Sequence, residues 1–248
     1  AYLEMNDQIE ETRQKVEESL YYLGRIQPLP AASYKQIPDQ NWMEAWKQHY
    51  KPILIGERLV VVPAWIDSPD PKRIIIRIDP GMAFGTGTHP TTQLCLELME
   101  KAFATSSPSR VIDVGCGSGI LSIAALKLGA ESALGMDIDA GSIDNARENA
   151  NANDVGEELI LGVGSVQEVL DGQFAFRQAP LVLANILAPV IVRLFDAGLA
   201  DLMQKDGAII LSGILQEQTQ NVIEAAQAKG LTVIEQRQMG DWVALTVS

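Results

Sequence analysis

Cysteine is nearly missing from this chain of 248 residues, which holds only Cys95 and Cys116. Two thiols cannot build a disulfide framework, and they lack the spacing of a zinc site. A reducing, cytoplasmic setting is therefore expected, and no metal centre. Basic residues are also in deficit: 19 Lys and Arg stand against 32 Asp and Glu, for a formal net charge of −13. Nucleic-acid binding needs a basic face, so direct contact with nucleic acid is not expected. An acidic surface keeps a chain soluble, and it also suits a basic protein partner through electrostatic steering. Long hydrophobic runs are missing too. Leu181 to Phe195 is the longest apolar stretch, and Asn185, Pro189 and Arg193 interrupt it. It is too short and too broken to span a bilayer, and no signal-peptide pattern is visible. Residue 1 is Ala, in what reads as mid-helix, so a fragment or a processed product is expected.

Hydrophobic residues make up 47% of the chain, enough for a sizeable core. Met5, Ile9, Val16, Leu20 and Leu23 are near helical spacing and predict an amphipathic helix over 3–23. Gln27-Pro-Leu-Pro-Ala31 is a breaker, and residues 41–50 carry Trp42, Met43, Trp46 and Tyr50 on a helical face. Arg58–Trp65 and Lys72–Ile78 read as a strand pair. From Pro90 onward strands and helices alternate. Strands are expected at 110–114, 132–136, 159–163, 181–184 and 207–212. Helices are expected at 90–104, 119–128, 140–152, 189–205 and 216–229. A hairpin of 231–237 and 242–247 turns at Met239-Gly-Asp241. This alternation predicts an α/β fold, a doubly wound and mostly parallel sheet with an antiparallel C-terminal strand.

The stretch Val111-Ile-Asp113-Val-Gly115-Cys-Gly117-Ser-Gly119 is an apolar strand that runs into a glycine turn opening a helix. Asp137 closes the next strand. Such a turn lets the backbone approach a ligand and presents a helix N-terminus to it. An acid at the next strand end is placed for ribose hydroxyls. An adenosine-containing cofactor is therefore expected. A phosphate loop would need Lys and then Ser or Thr after its last glycine, and Gly119 is followed by Ile120-Leu121. A dinucleotide site would need a small residue where Ile120 stands. The pattern that remains, Asp-x-Gly-x-Gly-x-Gly, resembles the motif of class I S-adenosylmethionine-dependent methyltransferases.

Two further stretches narrow the resemblance. Asp79-Pro-Gly-Met-Ala-Phe84-Gly-Thr-Gly-Thr-His89-Pro-Thr-Thr92 leads into the helix of 90–104. Leu181-Val-Leu-Ala184 ends in Asn185-Ile-Leu-Ala188. Many methyltransferases acting on nitrogen have Asn or Asp followed by Pro-Pro-Tyr at this point, and here only Asn185 is kept. With Gly135-Met-Asp137-Ile-Asp139 and Leu211-Ser-Gly-Ile-Leu215, these motifs resemble the bacterial family that methylates the eleventh protein of the large ribosomal subunit. The resemblance covers about residues 40–248.

It implies a seven-stranded Rossmann-like methyltransferase sheet. It also implies that S-adenosylmethionine is used and S-adenosylhomocysteine released. Cofactor contacts carried over to this chain are Thr92, Gly115, Asp137 and Asn185. The turn adds Asp113, Gly117 and Gly119, and Phe84 is a candidate cover. The implied acceptors are lysine side chains and the N-terminal α-amine of that ribosomal protein. The family's N-terminal substrate-recognition domain is expected to survive only as a remnant over 1–35. Residues 36–80 are then a linker with the first strands, and 81–248 the methyltransferase core. Asn185 and the Ile186 carbonyl are the candidate catalytic groups, accepting amine hydrogens so that the nitrogen lone pair faces the methyl. His89 is the one histidine in a candidate site, and is expected to order its loop rather than act as a base. The alternative is a methyltransferase with the same cofactor acting on another protein or a small-molecule amine.

Overall fold

A computed structural model describes residues 9–24, 51–63, 65–66, 68–79 and 86–248, with the backbone alone at 21–24. The helix expected over 41–50, the breaker at 27–31 and Phe84 lie outside the described residues. The chain divides into two compact units, residues 1–49 and 50–248. The described element of the first is helix α1 (Ile9–Gly24). Ile9, Val16 and Leu20 are half-buried on it, among exposed charges. Exposed pairs such as Lys15–Glu11, at 2.7 Å, support the helix one turn apart.

The second unit holds two sheets. Strands β1 (Ile53–Ile55), β2 (Leu59–Pro63) and β3 (Ile74–Ile78) form the smaller one, in that order. The expected pair is present as β2 and β3, running parallel, and β1 adds an antiparallel edge that the sequence reading lacked.

The larger sheet has seven strands: β4 (Arg110–Val114), β5 (Ser132–Asp137), β6 (Leu159–Val163), β7 (Ala179–Asn185), β8 (Met203–Leu215), β9 (Val233–Met239) and β10 (Trp242–Val247). Their order is β6-β5-β4-β7-β8-β10-β9. The first five in this order are parallel. β10 is antiparallel to both of its neighbours. The helices are α2 (Pro90–Thr105), α3 (Ile120–Leu128), α4 (Ala140–Ala152), α5 (Val166–Leu170), α6 (Ala188–Asp196) and α7 (Thr219–Ala228). This is the Rossmann-like methyltransferase architecture, with its antiparallel C-terminal strands.

Strand alternation puts successive side chains on opposite faces. Val111, Leu181, Leu183 and Ile210 pack with Leu94, Met99 and Ile123 of α2 and α3, and the small sheet adds Leu59, Val61 and Ile76 to the same layer. Ile112, Val182, Ala184 and Ile209 face the other way, onto Ile191 and Phe195 of α6 and Val222 of α7. Both faces are covered, so these strands read as near-continuous apolar runs.

Two boundaries differ most from the periodicity. The helix expected over 189–205 ends at Asp196, because Gly198 takes a left-handed φ of 99° and starts a short 3-10 turn, Leu199–Leu202. Leu199, Leu202 and Met203 keep the apolar spacing going past that break. The strand expected at 207–212 consequently begins at Met203 and continues to Leu215.

The outer edge of β3 would leave backbone groups unpaired. Asn153 meets them as another strand would: Arg77 N–H donates to its Oδ1 at 2.8 Å, and its Nδ2 donates to the Arg77 carbonyl. One turn earlier, Asn149 accepts from Asp79 N–H at 3.0 Å and donates to the Ser118 carbonyl at 2.9 Å. Both amides are buried, so the small sheet is hydrogen-bonded to α4 and, through it, to the glycine turn. Among the described residues no helix is long and apolar enough to cross a membrane.

Candidate active site

The strand order turns back between β4 and β7, one strand run going out to β6 and the other to β8. Crevices in such sheets open at the carboxyl ends of the strands beside that point. A cavity of about 570 Å³ is found there, within the usual range for small-molecule sites. Its lining follows the strand order. Gly164 and Ser165 follow β6, Asp137 and Ile138 end β5, and Gly115 and Gly117 follow β4. On the other flank are Asn185 at the end of β7, Ile186 after it, Gly213 of β8 and Trp242 of β10.

The turn itself is held by strand β5. Gly115 and Cys116 donate their N–H groups to the Met136 carbonyl at 2.8 and 2.9 Å. Gly115, Gly117 and Gly119 all adopt positive φ, at 74°, 53° and 77°, which is why L side chains are excluded there. Gly119 also lets α4 come close, since a Cβ on it would lie 3.0 Å from the Ala146 methyl.

Asp137 is oriented by backbone. Its Oδ2 accepts from Gly117 N–H and its Oδ1 from Asp139 N–H, each at 3.0 Å. Each carboxylate oxygen keeps a further lone pair, enough for two hydroxyl donors. Asp139 caps α4 by accepting from Gly141 and Ser142 N–H. These bonds hold its carboxyl below the usual range.

Asp113 is placed beneath the turn, fully buried and away from the cavity lining. Its Oδ2 accepts from Ser122 N–H at 3.1 Å and from the Ser122 hydroxyl at 2.7 Å, so it caps the first turn of α3 from inside. Oδ1 has no hydrogen-bond partner among the described residues. Burial raises its pKa from 3.8 to about 7, the Ser122 bonds opposing and the Asp137 charge adding to the rise.

Asn185 is half-buried in the cavity wall. It does not cap the helix after it: the N-cap of α6 is Leu187. Its Nδ2 donates to the Thr92 hydroxyl at 3.3 Å. Its Oδ1 is buried and accepts no hydrogen bond among the described residues. Thr92 is itself fully buried, in the first turn of α2, and reaches the cavity only through Asn185. His89 caps that helix, with Pro90 at its first position. The His89 Nδ1 lies 2.8 Å from the Thr91 hydroxyl, and its ring meets Trp242 edge-on at 4.8 Å.

Of the residues singled out from sequence, the fold brings His89, Gly115, Gly117, Asp137, Asn185 and Ile186 onto one cavity. Thr92, Asp113 and Gly119 are set just behind it. Ile138, Leu187, Val190, Gly213 and Trp242 line the cavity without having been singled out. Ile138 and Leu187 are large apolar side chains with 80% and 64% exposure. Their adjacency to Asp137 and Asn185 was the available signal; for Trp242, brought in by the hairpin, there was none.

The family model described as ribosomal protein L11 methyltransferase (PrmA) matches residues 1–248. A ribosomal protein L11 methyltransferase of Herpetosiphon aurantiacus is 40% identical, over 99% of this chain and 80% of its own length. The crystal structure of a ribosomal protein L11 methylase from Lactobacillus delbrueckii subsp. bulgaricus is 37% identical, with a TM-score of 0.71 over 80% of this chain and 98% of that one. A putative SAM-dependent methyltransferase from Streptococcus mutans, 11% identical with a TM-score of 0.53 over 65% of this chain and 49% of its own, shares the fold. A strand-end glycine turn, an acid on the neighbouring strand and an asparagine across the switch point thus occur in a chain matched along its whole length, and it belongs to the ribosomal protein L11 methyltransferase family.

Proposed function

We propose that this chain transfers methyl groups from S-adenosylmethionine to amino groups of ribosomal protein L11, on lysine side chains and on the N-terminal α-amine. The observation that carries this reading is the Asn185 Oδ1. It is buried in the cavity wall and has no hydrogen-bond partner among the described residues. Leaving such an acceptor unpaired costs about 1–3 kcal/mol, so its natural complement is a donor that arrives with substrate. An amine brings N–H donors and, once neutral, a lone pair.

The residues present fit the donor. Asp137 has two free acceptor positions for ribose hydroxyls, and the backbone of Gly115 and Gly117 lines the cavity beside it. Gly115, Gly117 and Asp137 would hold it, with Thr92 acting through Asn185. When bound, S-adenosylmethionine supplies an electrophilic methyl group on a sulfonium. Asn185 Oδ1 and the Ile186 carbonyl accept amine hydrogens and turn the nitrogen lone pair toward the methyl. The nitrogen must be neutral to attack. At reference pKa values, deprotonation at pH 7 costs about 4–5 kcal/mol for lysine and about 1 kcal/mol for an α-amine. Half-buried apolar lining from Val190 and Trp242, on the Asn185 flank, disfavours the ammonium and lowers that cost. No carboxylate is needed as a base at the acceptor side.

A ribosomal-protein acceptor supports a cytoplasmic setting for this activity. The test is transfer of radiolabelled methyl to purified L11, followed by peptide mapping. Label on lysine-containing peptides and on the N-terminal peptide is expected. Transfer to other amines with none to L11 would overturn the assignment.

A further inference from the structure

We infer that Ile186 is the spacer that sets the separation between methyl donor and amine acceptor, and that Gly115 and Gly213 clamp it from either side. This inference rests on the reading that Asn185 and the Ile186 carbonyl orient the amine.

Ile186 touches both halves of the cavity. A Cβ placed on Gly115 would lie 2.7 Å from the Ile186 Cγ2, so that methyl rests directly on the first glycine of the donor turn. On the other side its backbone rests on β8. A Cβ on Gly213 would collide with the Ile186 carbonyl oxygen and lie 2.7 Å from its carbonyl carbon and 3.1 Å from its nitrogen. Gly213 has a φ of 84°, a second reason for glycine at this point.

Hydrogen bonds complete the clamp. Ile186 N–H donates to the Ser212 carbonyl at 3.1 Å. The Ser212 hydroxyl donates to the Thr91 carbonyl at 2.9 Å, in the helix turn that carries Thr92 against Asn185. Strands β4, β7 and β8 therefore meet at one residue. The carbonyl proposed to orient the amine is fixed to β8, and the side chain on the same α-carbon is pressed on the donor turn. The contact is made by a branch methyl at Cβ, where χ1 freedom is small. Ile186, Gly115 and Gly213 all line the cavity. The motif Leu211–Leu215 thereby gains a role: Ser212 and Gly213 are positioning residues that act through Ile186.

The test compares Ile186→Val with Ile186→Leu. Valine keeps the branch at Cβ, with its Cγ2 methyl, but loses the terminal Cδ1 methyl and so volume. Leucine keeps the volume but has no branch at Cβ. A residue that only fills space would favour leucine. A spacer favours valine, because a misplacement near 1 Å can cost about 100-fold in rate. The expected result is a kcat at least about 10-fold higher for Ile186→Val than for Ile186→Leu, with equal calorimetric affinity for S-adenosylhomocysteine and equal KM for L11. Near-ultraviolet circular dichroism checks that both variants are folded. A leucine variant as fast as the valine variant would overturn the spacer. So would a loss of product affinity in the leucine variant that matches its loss of rate. Asn185→Ala is assayed alongside. Wild-type turnover in it removes the underlying reading, whereas a deep loss there with equal valine and leucine variants removes the spacer alone.

Discussion

Asn185 donates its side-chain N–H to the Thr92 hydroxyl across 3.3 Å, from the end of β7 to the first turn of α2. That bond decides which end of the amide is left without a partner among the described residues. With Nδ2 committed, Oδ1 is the acceptor facing no partner. Asn185→Ala is expected to lower kcat by about 100-fold or more with little change in melting temperature. Thr92→Val, which keeps the shape and removes the acceptor, should lower kcat less while product binding persists. Steady-state kinetics on L11 check both, and near-wild-type turnover of Asn185→Ala would exclude the orienting role.

Asp137 is preset by the Gly117 and Asp139 N–H groups. Hydrogen bonds to a charged group are worth about 1.5–3 kcal/mol. Asp137→Ala should accordingly weaken S-adenosylmethionine binding by about 10–100-fold. Titration calorimetry of the donor and of its product measures this, and unchanged affinity would remove Asp137 from the donor site.

Asp113 makes stability depend on pH in an unusual direction. Its folded pKa of about 7 lies above the ordinary 3.8. Between those values the folded state holds a proton that the unfolded state has released. The contribution is full below 3.8 and is lost as pH rises through about 7. Asp113→Asn removes this dependence. Relative to wild type, the variant should gain about 2–3 kcal/mol on going from about pH 5 to about pH 8. Urea unfolding at the two pH values checks it, and a constant difference would show that Asp113 is not protonated in the fold.

Asn153→Ala removes both partners of the Arg77 backbone at the outer edge of β3. Two half-buried backbone groups are left unpaired, at roughly 1–3 kcal/mol each. The expected loss of stability is about 2–4 kcal/mol, read from urea midpoints. A change below about 0.5 kcal/mol would mean that water replaces the amide without penalty.

Much of the larger sheet was legible because its signals are local. The runs at 110–114, 159–163 and 242–247 match the strands, since each is apolar, short and bounded by turn residues. The 3-10 turn before β8 was not legible, because Leu199, Leu202 and Met203 continue the helical spacing of Ile191 and Phe195. Only the left-handed Gly198 breaks it. β1 is three residues long, too short to show a period. Its pairing with β2 is a tertiary contact.

The site divides in the same way. Glycine spacing, the acid at the end of β5 and the asparagine at the end of β7 are composition at strand ends, and sequence alone determined that a glycine turn, an acid and an asparagine stand there. Tertiary structure decided which of them touch. It put Asp113 and Thr92 behind the cavity wall, brought Trp242 in from the hairpin, and set Ile186 between Gly115 and Gly213, residues of strand ends far apart in the chain. Sequence patterns record which face a residue presents within its own element. Distances across a sheet depend on strand order and register, which arise only when the two apolar faces are buried together.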